Sequence, residues 1–361
     1  MELTYYILTG IIVVCSLLPF VTDQHWAFRV WEFGRIQLLF LQLVVLGLAF
    51  LLIEEQDAIF WVLQALLMAL IIYNIIILVP YTTLYKRNKT SEVKKHSRSI
   101  SILSANVYQF NTNYHELLEL IAEVDPDVVL TMESNKDWEQ AMKGLEQDYP
   151  NFKKVGLENT YGMHFYTRLK TRKLKVNYFT ADDLPSIEAE LETEGGSKFT
   201  LFGVHPPPPS PTEEDNSKER DAELLSVARK VQETKGPVVV VGDFNNVAWA
   251  KSSILFRKTS ELIDPRIGRG FVSTFHASYR LLRFPIDLFF HTTDIFIEEF
   301  KTLRHISSDH LPLFSKFYIN YSEDIQEEEI ESLEEGQHEE VDEMIEEGIK
   351  EESDRPEIAT E

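Results

Sequence analysis

VVVVGDFNNVAWA, residues 238–250, is a run of four valines that stops at Gly242 and then offers Asp243, Asn245 and Asn246. Valine favours strands, whereas glycine, Asp and Asn favour turns, so the stretch reads as a buried strand ending in a polar turn. Two readings fit the thirteen residues alone. The turn is an ordinary strand exit, or it is the floor of a site whose other walls come from elsewhere in the chain.

The neighbourhood supplies more strands of the same kind. SILSANVYQF (101–110) and DVVLTMES (127–134) read as strands, with an amphipathic helix over Tyr114–Val124 between them. Phe199–Val204 and Val238–Val241 are further strands, separated by a helical pattern over Ala222–Glu233. Short strands alternating with helices and long loops predict a layered α/β (α+β) domain over residues 102–320. HPPPPSP (205–211) can neither continue a strand nor start a helix, so it leaves the sheet as a stiff loop.

The 361-residue chain does not begin with this domain. Tyr5–Thr22 and Ile36–Ile53 are apolar stretches of 18 residues each, and Ala58–Pro80 is one of 23. At 1.5 Å per residue each can cross a hydrocarbon core of roughly 30 Å. Residues 1–85 therefore read as a membrane anchor of three spans (about 5–22, 36–53 and 58–80). The opening Met-Glu-Leu lacks a cationic n-region, which favours a retained anchor over a cleaved signal peptide. Arg29, Arg35, Lys86, Arg87, Lys89, Lys94, Lys95 and Arg98 all fall on one side of the three spans, and no Lys or Arg falls on the other. The positive-inside rule places that side, with the C-terminal domain, in the cytoplasm; the alternative is an extracytoplasmic domain whose basic linker (86–101) binds headgroups.

The net charge of −23 is mostly a tail. From Glu323 onward 19 acidic residues face only Lys350 and Arg355, leaving about −6 for the rest. A mildly acidic body is a poor default for gripping a polyanion. The tail, residues 321–361, reads as disordered or as a frayed solvated helix, and is a candidate for recruiting a basic partner. Cys15 stands alone and excludes an intrachain disulfide.

Polar residues recur at strand ends of the domain: Asn106, Glu133, His205, Asp243 and Asn245, then Asp287 within FPIDLFF and Ser308, Asp309 and His310 within SSDHLPL. Each has a plain reading as a turn former or loop cap. Asp287 is harder to dismiss, because an unpartnered carboxylate in an apolar strand is costly. Strand ends on one sheet edge converge on one crevice, so together these residues describe an oxygen-rich cage suited to Mg²⁺ or Mn²⁺ rather than Zn²⁺.

In this order, N-V, ME, G-V-H, GDFN, a buried ID and SDHLPL, the chain from about Ile102 to Tyr318 resembles the endonuclease/exonuclease/phosphatase (DNase I-like) superfamily. With its apolar preface it is similar to the bacterial membrane-anchored branch. The resemblance implies a four-layered α/β/β/α sandwich and Mg²⁺-dependent phosphoester hydrolysis. Residue by residue, it implies Glu133 as a metal ligand with Asn106 and Asp309, and Asp243 as the group that orients or deprotonates water. Asn245 and His205 would hold phosphate oxygens, His310 would donate to the phosphate, and Asp287 would fix the His310 tautomer. Tyr161 or Tyr166, in YGMHFYTR, is a candidate further substrate contact. Two departures bear on substrate identity: His291 after Asp287, and Phe275 where nucleases often carry Trp.

The anchor points to a lipid-linked or headgroup phosphoester as substrate, with the bilayer itself as a partner. A DNase I-like nuclease is the rival within the enzymes, although nucleic acid suits the acidic body less well. A silent membrane scaffold of the same fold is the rival outside them, and the presence of Glu133, Asp243 and His310 speaks against it.

Overall fold

The computed structural model describes residues 2–86, 97–321, 325–353 and 355. The basic residues Arg87, Lys89, Lys94 and Lys95 of the expected linker lie outside the described residues. Helix α1 (Glu2–Leu17) is followed by the short amphipathic α2 (Trp26–Phe33), then α3 (Arg35–Leu52) and α4 (Ala58–Leu78). Three helical segments, Glu2–Phe20, Arg35–Leu52 and Ala58–Tyr81, are long and apolar enough to cross a membrane, with mean hydropathies of 2.0, 2.2 and 2.6. Polar side chains staple them: Gln42 donates to Ser16 (2.8 Å), Asn74 to Gln42 (3.1 Å) and Arg35 to Asn74 (3.2 Å). Between apolar helices such bonds compensate one another where no water can.

The domain that follows holds β1 (Ile100–Asn106), α5 (Tyr114–Val124), β2 (Val128–Met132), α6 (Lys136–Ala141), β3 (Asn151–Val155), β4 (Met163–Thr167), β5 (Lys170–Asn177), β6 (Ser186–Glu192) and β7 (Lys198–Val204). It continues with α7 (Lys218–Glu233), β8 (Val238–Asp243), α8 (Lys251–Ser260), β9 (Asp287–His291), β10 (Ile295–Thr302), β11 (Leu313–Ile319) and α9 (Gln337–Lys350). One sheet has the order β10-β11-β1-β2-β4-β3 and the other β5-β6-β7-β8-β9. Both are mixed: β1–β2 and β7–β8 are parallel, their other pairs antiparallel.

The period of two explains the layers. Val239 and Val241 point between the sheets, where they meet Ile102, Leu130, Met132 and Phe165 of the facing sheet. Val238 and Val240 point the other way, onto Leu224, Val227 and Phe256 of α7 and α8. Leu103, Ala105 and Val129 likewise face α5 and Trp138 of α6. The expected four-layered sandwich, helices outside two packed sheets, is the architecture observed. Gly242 closes β8 because nothing larger fits: a Cβ there would lie 1.9 Å from the Val204 carbonyl oxygen.

Two features differ from expectation. The anchor is not merely tethered by a linker. Leu78 and Tyr81 share an apolar cluster with Phe244, Trp249 and Phe290. Tyr81 Oη donates to Ala248 O (3.0 Å), Trp249 Nε1 to Glu32 O (2.8 Å) and Trp26 N to Asp215 O (3.0 Å). The acidic tail, expected to be disordered or a frayed solvated helix, contains the helix α9, which docks on α7. Val341 of α9 is buried against Leu225 and Leu255, with Met344 and Ile345 packed beside it. Gly348 allows the close approach, since a Cβ there would lie 2.3 Å from Lys218 O. The spacing i, i+3, i+4 of Val341, Met344 and Ile345 makes one apolar stripe. The surrounding acids meet cations of α7 and α8, in Arg229–Asp342, Lys251–Glu340 and Lys258–Glu334.

Candidate functional site

The carboxyl ends of β1, β2, β7 and β8 and the first residue of antiparallel β9 lie along one edge of the sandwich. Pairing sets Asn106 beside Met132, Val204 beside Gly242 and Asp243 beside Asp287. Glu133 and His205 therefore emerge one residue beyond their strands, at the same edge as Asp243 and Asp287. The backbone bends sharply here. Tyr108, Glu133, Asn245 and Ser307 all have φ between 49° and 59°, a left-handed conformation that costs a non-glycine residue on the order of 1 kcal/mol. Side chains hold two of these turns in place: Asn106 Oδ1 accepts from Tyr108 N (3.0 Å), and Asp243 Oδ1 from Asn245 N (2.9 Å).

Asn106 sits at the centre of the network. Its Nδ2 donates to Glu133 Oε1 (2.9 Å) and to Asp243 Oδ2 (3.0 Å), while Gln109 N donates to Glu133 Oε2 (3.1 Å). His310 Nδ1 pairs with Asp287 Oδ2 at 2.8 Å, leaving Nε2 3.6 Å from Asp243 Oδ2. His205 Nε2 lies 3.8 Å from that same oxygen. Ser308 Oγ donates to Asn106 O (2.8 Å) and accepts from His310 N (3.1 Å), which ties the SDH turn to β1.

Burial sets the charges. It would depress His310, but the carboxylates of Asp287 and Asp243 outweigh it and hold the imidazole at about 10, so it is a cation at neutral pH. Burial lowers His205 to about 4, and the pull of Asp243 does not restore it, so this ring is neutral. Burial lifts Glu133 to about 7 against hydrogen bonds from Asn106 and Gln109. It also raises Asp243, against the attraction of His310. One imidazolium thus faces Glu133, Asp243, Asp287 and Asp309. The site is short of positive charge.

These donors fit a divalent cation. Asp243, Asp287 and His310 each bring one ligand atom within 4.8 Å of the others, and Glu133 and Asp309 line the same pocket. A mainly carboxylate set suits Mg²⁺ or Mn²⁺. Asn106 was expected among the ligands, yet it turns its amide nitrogen to the carboxylates while its oxygen accepts from Tyr108. The second lone pair of that oxygen is the one Asn106 could offer a cation, because its amide N–H₂ only donates.

A pocket of about 320 Å³ opens at this edge. Glu133, His205, Asp243, Asn245, Asp309 and His310, all singled out in the sequence, line it together. Asn245 spends one amide hydrogen on Pro206 O (3.0 Å), and Asp287 sits behind His310. Tyr161 also lines the pocket; its hydroxyl donates to Glu213 and its ring lies 5.5 Å from that of His205. Tyr166 does not. It is buried on the opposite face of β4 with Trp138 and Tyr149. His291 too is away from the pocket, its Nδ1 2.8 Å from Thr292 O. Phe275 is a wall of the site, its ring 4.9 Å from His310.

The sequence left three contributors unassigned. Arg29, Val30 and Phe33 of α2 line the pocket, so the N-terminal helical region forms part of the site. Glu213 stands behind Tyr161. Arg355, from the tail, lies over the Tyr161 ring at 5.2 Å and pairs with Asp183, Glu214 and Glu219. The amphipathic period of WAFRVWEF was a signal for α2; a lone arginine in an acidic tail gave none.

Comparison with known proteins adds the following. Residues 103–310 match the Endonuclease/Exonuclease/phosphatase family. No curated protein matches the chain. Among solved structures, D. rerio TDP2 complexed with a single-strand DNA product is 20% identical, with a TM-score of 0.52 over 61% of this chain and 99% of that one. TDP2 from Caenorhabditis elegans is 16% identical (TM-score 0.51, 61% and 74%). The endonuclease/exonuclease/phosphatase from Bacteroides vulgatus is 17% identical (TM-score 0.51, 62% and 100%). At such identities the likeness is one of fold.

Proposed function

This chain belongs to the endonuclease/exonuclease/phosphatase family, and on that premise we propose that it is a membrane-anchored, divalent-metal-dependent hydrolase of a lipid-linked or headgroup phosphoester. The observation that carries the reading is the His310–Asp287 pair aimed at Asp243 beside Glu133, in a pocket partly walled by the anchor. A bound Mg²⁺ or Mn²⁺, held by Glu133 with Asp309 and the nearby carboxylates, would neutralise phosphate charge and polarise the phosphoester.

The chain's own groups supply the rest. Asp243 is the acceptor that orients an attacking water and takes its proton. Asp287 accepts from His310 Nδ1, which fixes the ring so that Nε2–H points into the pocket and can donate to a phosphate oxygen. Neutral His205 and the second amide hydrogen of Asn245 are placed to hold further phosphate oxygens. Phe275, Tyr161 and the α2 side chains exclude water from one flank. Arg29 and Arg35, on the side of the spans that carries the domain, support a cytoplasmic position for the site.

The test is a substrate panel offered to the full chain in lipid nanodiscs: phospholipid headgroup esters, sphingomyelin, a soluble aryl phosphodiester and single-stranded DNA. Mg²⁺-dependent release from the lipids supports the reading. Turnover of DNA alone replaces it with a nuclease, the direction in which the fold of D. rerio TDP2 points and the acidic body does not. No hydrolysis of any phosphoester overturns it.

A further inference from the structure

The pocket and the membrane spans meet in one place. Leu281 O accepts a hydrogen bond from Gln37 Nε2 at 2.9 Å, and Gln37 lies in the first turn of α3, where a candidate span begins. The turn that carries this carbonyl, Tyr279–Leu282, projects apolar side chains outward: Tyr279 is 61% exposed, Leu281 89% and Leu282 54%. Exposed residues of this size, side by side, mark an interaction surface. Their occupant follows from their depth, because a turn bonded to the start of a membrane-spanning helix is at the level of the bilayer surface. Arg280 beside them is exposed as well, and its long side chain can keep its charge among phosphate headgroups while its stem stays apolar.

The segments flanking this turn lead to the catalytic pocket, which Phe275 and Ile286 line. Phe275 and Phe284 bracket the turn, with Phe275 N donating to Phe284 O at 3.1 Å. Phe284 meets Phe33 of α2 edge to face at 5.8 Å. Phe33, Val30, Phe275 and Ile286 form an apolar wall that starts beside Asp309 and His310 and ends at the head of α3. Polar chemistry thus lies at one end of this wall, and the exposed Leu281 and Leu282 lie beyond the other.

We propose that the Tyr279–Leu282 turn is seated in the headgroup layer and that the pocket takes its substrate from the bilayer, the phosphoester at His310 and the apolar chain along Val30, Phe33 and Ile286. This rests on the phosphoester-hydrolase reading and narrows it: the substrate is an amphiphile delivered sideways, and the anchor is part of its binding site. A soluble phosphoester reaches the same carboxylates without using the turn.

Two measurements on the full chain in nanodiscs of phosphatidylglycerol and phosphatidylcholine test this. In the first, Leu281→Cys is made in a Cys15→Ser background and labelled with an environment-sensitive fluorophore. Quenching by lipids spin-labelled near the headgroup is expected; a label quenched only by an aqueous quencher overturns the proposal. In the second, Leu281→Asp/Leu282→Asp is compared with wild type on vesicle phospholipid and on a soluble aryl phosphodiester. Lipid turnover is expected to fall about tenfold or more while the soluble reaction stays within about twofold. Equal rates on lipid overturn the proposal. If no phosphoester is cleaved by either protein, the hydrolase reading fails, and the depth of the label still decides whether the turn meets the bilayer.

Discussion

Two acidic clusters flank the same pocket and are neutralised in opposite ways. Beside Tyr161, the carboxylates of Asp183, Glu214 and Glu219 converge on a permanent cation of the chain, Arg355, at 2.9 and 2.8 Å for the first two. At the sheet edge, Glu133, Asp243, Asp287 and Asp309 face the imidazolium of His310. Arg355 forms a structural set, since both of its terminal guanidinium nitrogens donate to these neighbouring carboxylates. At the sheet edge burial raises Glu133 and Asp243, with room for a cation that is not part of the polypeptide. Burying acids is costly in either place; the difference is whether the counter-ion comes from the chain or from solution.

The comparison breaks most visibly at the sheet edge. His310→Ala removes the imidazolium that faces these carboxylates, and the hydrolytic rate is expected to fall by about 10²–10⁴-fold with the fold retained. Circular dichroism alongside the rate separates lost chemistry from lost structure. At the other cluster Arg355→Ala leaves buried acids unpaired, and stability is expected to drop by about 3–5 kcal/mol in urea unfolding. Arg355→Lys should recover part of that loss but not the multiple bonds.

Smaller effects concern pH. Glu223, buried beneath Ser186 Oγ (2.7 Å) and Thr180 Oγ1 (2.9 Å), is lifted by burial from 4.5 to about 7. Its folded value lies above its unfolded one, so the folded state holds the proton more tightly. That contribution is full below pH 4.5 and is lost as pH rises through 7, amounting to about 3 kcal/mol at most. Glu223→Gln is expected to flatten this fall in unfolding measurements between pH 5 and 8. Glu133 titrates similarly, at about 7, and a proton there competes with a cation. Mg²⁺ affinity by calorimetry should rise about tenfold per pH unit below 7 and level off above it. Glu133→Gln should abolish that slope.

Much of this arrangement was legible in the sequence, for a physical reason. Burying Val239 and Val241 on one face and Val238 and Val240 on the other forces the chain to surface at Gly242, so Asp243 could be located at an edge. Asp287 was marked by the cost of a carboxylate amid apolar residues, and His310 by its place in SDHLPL. Parity explains Tyr166: Met163 and Phe165 face the sandwich interior, so Tyr166 faces the helices, while Tyr161 precedes the strand and escapes the alternation. The second half of the opening stretch carried no signal of its role. Ala248 and Trp249 grip Tyr81 and Glu32 of the anchor, a role that depends on contacts from residues more than 160 positions away. Composition made the tail look solvated, because acids outnumber the few residues of its apolar stripe, and the lysines and arginines that receive them lie on α7 and α8.

The most direct test of the central claim is the rate of phosphoester hydrolysis by chelator-treated protein as Mg²⁺ is added back, measured for wild type and for Asp243→Asn. The account predicts no turnover without the cation, a saturable recovery in wild type and none in Asp243→Asn. Full activity in the presence of chelator, or equal recovery in Asp243→Asn, would contradict it.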